Sequence, residues 1–142
     1  MSDLFNHSQR TRLLVVLQEY EENLLQAKHW LSGHQENGAL YHRELDMSGE
    51  DKTVALEKIE SALAIIQQLA QRLELPRQER DAAKMIAAQM NSAWVSLSDS
   101  HAHNLKGYGE VNPQLADIID PEIDQLVQSA LELGRIFEKK DG

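Results

Sequence analysis

The sequence predicts an all-α protein, an antiparallel up-down-up-down four-helix bundle that occupies residues 1–142 as one helical-bundle domain. Three observations carry that prediction. Four segments repeat their apolar residues at alternating steps of three and four, the rhythm of a helix packed along its length. The composition is rich in Ala, Leu, Gln and Glu, which lose little freedom in a helix. Only ten residues are Gly or Pro and 5% are aromatic, too few turn and strand signals for a sandwich or barrel.

In the first segment Leu13, Leu17, Tyr20, Leu24, Ala27 and Leu31 are spaced 4-3-4-3-4. Asn6 or Ser8 is placed to cap its start, and Gly33 to end it in the left-handed conformation. The second helix is expected from about Asp51 to Leu73, with Ser48 and Asp51 in a capping-box arrangement. Its stripe is Leu56, Ile59, Leu63, Ile66, Ala70 and Leu73, with Lys58, Glu60, Gln67, Gln68, Gln71 and Arg72 off it.

Pro76 suits the first position of a third helix, where a missing N–H costs nothing. Its core positions are Ala83, Ile86, Met90, Ala93 and Leu97, and Gly107 is its expected stop after Lys106. Asn112-Pro113 should begin a single turn through Ala116. Asp120-Pro121 should begin the fourth helix, whose stripe is Ile123, Leu126, Ala130, Leu133 and Phe137. The segment from 33 to 50 reads as a loop. The short connection after the second helix makes it and the third antiparallel neighbours.

Charge and composition exclude several functions. The chain carries 23 acidic and 14 basic residues, a formal charge of −9, and its cations are nowhere clustered beyond pairs such as Lys139-Lys140. Such a chain repels phosphate backbones, so no nucleic-acid partner is expected. It has no cysteine, which removes disulfides, zinc–thiolate sites and thiol nucleophiles. The N-terminal apolar run from Leu13 to Leu17 is too short for a secretory signal or a membrane span. A cytoplasmic protein without membrane contact is the expectation.

Signatures of helical-bundle enzymes are missing. No Glu is followed three residues later by His, as inward di-iron ligands require. The pairs Glu19/Glu22 and Glu57/Glu60 have the spacing of a magnesium site, but fall outside the apolar stripes. There is no Gly-rich phosphate loop, no Ser-x-x-Lys and no His-Glu-x-x-His. The expected protein is therefore not an enzyme and needs no cofactor.

Two features point to binding. The third helix is uncharged from Met85 to Ser98 and displays Ala87, Ala88, Trp94 and Val95 beside its core stripe. A helix apolar nearly all round is covered on more than one side, and small residues admit a close neighbour. Those four residues are the expected interface of a homodimer, a helical-bundle interaction or accessory protein that acts by binding protein, itself and possibly another.

The alternative is a metal- or small-molecule-binding bundle. An up-down topology gathers His29, His34, His42, His101 and His103 at one pole, and His101, His103, His42 and Asp46 are its candidate metal ligands. Against it, His101 and His103 on a continuous helix would diverge by roughly 200°. The positive ends of the second and fourth helices would also face a cation there. A further candidate is Lys106-Gly107-Tyr108-Gly109-Glu110, a flexible loop around one aromatic.

Overall fold

A computed structural model describes residues 4–139; Lys140, the second half of the terminal basic pair, lies outside them. The described chain is mostly helical. In order it forms α1 (His7–Leu31), β1 (Gln35–Asn37), β2 (His42–Glu44), α2 (Gly49–Arg72), α3 (Ala82–Ser98), a 3-10 helix (Ala102–Tyr108) and α4 (Leu115–Glu138). The chain divides into two compact units, Met1–Arg77 and Gln78–Gly142.

The first unit is an antiparallel helical hairpin. Asn6 caps α1 in a reciprocal box: its side chain accepts from the Gln9 amide at 2.9 Å, and the Gln9 side chain accepts from the Asn6 amide at 2.9 Å. Replacing Asn6 with Ala removes both bonds and should cost about 1 kcal/mol in a denaturant titration; an unchanged midpoint would show that the cap contributes nothing. At the other end Gly33 adopts φ +97°, the left-handed conformation expected there. Ser48 caps α2 by accepting from the Asp51 amide. That helix closes on Glu74, which stands at φ 52° without being glycine, while the Leu75 amide reaches back to the Ala70 carbonyl.

Leu24, Ile59 and Ile66 are the buried centre of this hairpin, flanked by Leu17, Leu31, Ala62 and Leu63. Two polar contacts join the helices in antiparallel register. Arg10 donates to the Glu74 carbonyl at 2.6 Å, and Lys28 pairs with Glu60 at 2.6 Å. Not every expected core residue is inside: Tyr20, Ala27 and Leu56 are exposed.

The segment after α1 is a β-hairpin rather than a loop, with Gln35 opposite Glu44, Glu36 opposite Arg43 and Asn37 opposite His42. Its strands are three residues long and polar, so no apolar alternation announces them.

The second unit departs further from expectation. Helix α3 starts at Ala82, not at Pro76; Asp81 is its cap, accepting from the Ala83 amide at 2.9 Å. Residues 75–81 have no regular structure, in keeping with the extended preference of a residue before proline. The helix also ends at Ser98 instead of Lys106, and the chain turns into the 3-10 helix.

Helix α4 begins at Leu115, so Pro121 lies inside it and removes one backbone hydrogen bond. Asp120 does not cap it; its side chain accepts from the Ala102 amide at 2.8 Å. Asn112 still organises the entry turn by accepting from the Gln114 amide.

The buried positions of this unit are all small: Ala87, Ala102, Ala130 and Gly134. A Cβ on Gly134 would come within 3.2 Å of the Asn91 Oδ1 and 3.7 Å of the Met90 Cβ, so α3 and α4 approach closely at this point. The inward face of α4 reads Ile123, Val127, Ala130, Gly134 and Phe137, while the expected core residues Leu126 and Leu133 are exposed. Both patterns step by three and four. The close approach of α3 selects the one with glycine in it.

Candidate functional site

Sequence reasoning marked three groups of residues, and the structure places each of them. The first is the uncharged stretch of α3. Ala87 is buried on the face it shares with Met90, the residue that lies against Gly134 of α4. Trp94 follows Met90 on that same 3-4 face and is half-buried. Ala88 and Val95 are exposed, and with Met85 and Ser92, also exposed, they form a second line at 3-4-3 spacing. About 100° per residue puts this line on the side of α3 opposite Ala87 and Met90.

The second group is the histidines near the end of α1. The His29 and His34 rings lie 4.2 Å apart, and Trp30 stands edge-on to His34 at 4.8 Å. The β-hairpin supplies the rest. Arg43 sits over the Trp30 and Tyr41 rings at 5.9 and 5.2 Å and pairs with Glu36 at 3.7 Å, while the Tyr41 hydroxyl donates to Glu36. Of these contacts, the cation–π contact of Arg43 with Trp30 joins the hairpin to the helix end, while the pairs with Glu36 hold the hairpin together. His42 faces Asn37 at 3.3 Å and Glu44 at 3.4 Å, and Asp46 is exposed.

The third group is the corner after α3. Because that helix stops at Ser98, His101 and His103 do not diverge as they would on a continuous helix; their rings stack 6.2 Å apart at 19°. The His101 Nδ1 donates to the Ser98 carbonyl at 2.9 Å, and its Nε2 donates to Asp124 Oδ1 at 2.7 Å. A carbonyl and a carboxylate only accept, so the two bonds form together only when both ring nitrogens carry protons. The bond to Asp124, then that to Ser98, holds the His101 pKa above the ordinary histidine value.

Asp120 and Asp124, four residues apart on α4, are the partners that the sequence reading missed. Their spacing on one helix face was visible, but Asp120 also fits a cap before proline.

Among the described residues no group of three or more His, Asp or Glu side chains is placed to hold a metal ion, and His101, His103, His42 and Asp46 form no such group. Glu19, Glu22, Glu57 and Glu60 are exposed, as their places outside the apolar stripes imply. Tyr108, at the centre of the glycine-flanked segment, is 92% exposed and does not pack back on the helix. A shallow apolar groove of about 480 Å³ lies along the first turns of α1, lined by Ser8, Gln9, Arg12, Leu13 and Val16. Among the described residues no helix is long and apolar enough to cross a membrane.

No protein-family model, no curated protein and no solved structure matches the chain.

Proposed function

We propose that this chain is a non-enzymatic helical-bundle protein of the cytoplasm that acts by binding protein, first of all a second copy of itself. The observation that supports this most directly is the outer line of α3. Met85, Ala88, Ser92 and Val95 repeat at helical seam spacing, all exposed, in a stretch without a charged residue. Met85 and Val95 are 56% and 48% exposed. An acidic chain that meets its own copy needs its charges away from the seam, and this stretch meets that condition.

In this reading the chain is an up-down-up-down four-helix bundle, and the outer side of α3 faces the partner. A standard interface buries roughly 800 Å² per partner. One helix face with an adjoining helix supplies that area, and α4 offers Leu126, Leu133 and Ile136, all exposed.

Sedimentation at tens of micromolar should show a dimer. Val95→Asp should remain helical and weaken association by roughly a hundredfold, since an unpaired charge in a seam costs about 3 kcal/mol. A monomer in the unmodified protein would overturn the homodimer.

A further inference from the structure

We infer that the corner between α3 and the 3-10 helix is a pH-sensitive latch: doubly protonated His101 ties the end of α3 to Asp124 of α4, and loss of one proton releases it. The geometry demands the second proton. With Nδ1 donating to the Ser98 carbonyl, a neutral ring would turn the lone pair of Nε2 toward a carboxylate oxygen 2.7 Å away. Two acceptors would then face each other, and the contact becomes repulsive.

The groups around the ring are few. From α4, Asp124 and Asp120 favour the cation, the first by direct contact and the second by charge. From the 3-10 helix, His103 stacks on it, and a positive charge there opposes one on His101. From α3 comes the Ser98 carbonyl, with Asp99 the next residue along the chain. What the latch guards is the first residue of the 3-10 helix. Ala102 is 2% exposed, and its amide donates to Asp120 one helical turn before Asp124. Both bonds tie the same corner to the same face of α4, so releasing His101 loosens the hold on Ala102.

The sign follows from the direction of the shift. The closed corner raises the affinity of His101 for its second proton, so with Asp124 ionised the latch has its full strength below about pH 6.5, the ordinary histidine value. It weakens as pH rises through the higher value of the closed state. The closed-to-open ratio falls up to tenfold for each pH unit separating the two values.

Two measurements on the intact protein test this. The ring resonances of His101 should titrate above about pH 6.5, and Asp124→Asn should move that midpoint down. Protection of the Ala102 amide from hydrogen exchange, corrected for intrinsic base catalysis, should fall across the same pH range by a factor that the midpoint shift sets. His101→Gln should make that protection independent of pH. A His101 midpoint at or below the ordinary value would overturn the latch. So would Ala102 protection that stays constant while His101 titrates, or the same pH dependence in His101→Gln. Should His101→Gln fail to fold, the Asp124→Asn titration decides alone.

Discussion

Ile66→Ala should destabilise the protein by about 2–5 kcal/mol, the range for removing a large aliphatic side chain from a packed position. Ile66 sits with Leu24 and Ile59 at the centre of the first hairpin, and these three are its only buried hydrophobic residues among those described. So small a centre has little redundancy. The methylenes lost at Ile66 leave Leu24 and Ile59 facing a void that Leu63 and Ala62 would have to fill by moving. The neighbouring Ile65 is 57% exposed and provides the control. Ile65→Ala should change stability by less than about 0.5 kcal/mol, as surface substitutions do. Equal effects from the two, measured by chemical denaturation, would mean that the inner face of α2 is misassigned.

Ala87→Leu should destabilise by about 1–3 kcal/mol, the usual cost of overpacking. Ala87 is 4% exposed on the face of α3 from which Met90 meets Gly134 of α4, so a Leu there must push into that close contact. Ala88→Leu, one residue on, points about 100° away onto an exposed position. It should leave folding stability almost unchanged and register instead in the self-association equilibrium. This pair separates two roles that adjacent alanines share in the sequence. A large stability loss from Ala88→Leu, with little from Ala87→Leu, would reverse the two faces of α3.

The helices legible in the sequence are those whose ends carry side-chain chemistry and whose core side chains are large. Helix α1 declares itself through Asn6, the Leu17–Leu24–Leu31 spacing and Gly33, and α2 through Ser48 and the Ile59–Ile66 pair. The second unit was harder to read because its inner surface is made of small residues. Gly134 carries no hydrophobic signal, so the apolar stripe of α4 was placed on Leu126 and Leu133, which the structure leaves exposed. For the same reason Ala87 looked like part of an outward surface.

Prolines misled twice, at Pro76 and Pro121, because each can open a helix, and only the cap that competes with it decides. Asp81 wins over Pro76, and a start at Leu115 leaves Pro121 inside α4. Of the candidate sites, the clustering of histidines near the end of α1 and again after α3 was legible. The bond from His101 to Asp124 was not, since it joins residues 23 apart through a corner that periodicity extended as helix.

The polar β-hairpin between α1 and α2 bears on aggregation. A strand edge is a row of unpaired amides and carbonyls, and a long, flat, apolar one recruits further strands into aggregates. Here each strand has three residues, and the paired positions are Gln35, Glu36, Asn37, His42, Arg43 and Glu44. A third strand laid on either edge would gain few hydrogen bonds and no apolar surface, while meeting charge at Glu36, Arg43 or Glu44. The segment between α1 and α2 is thus a poor template for fibril growth.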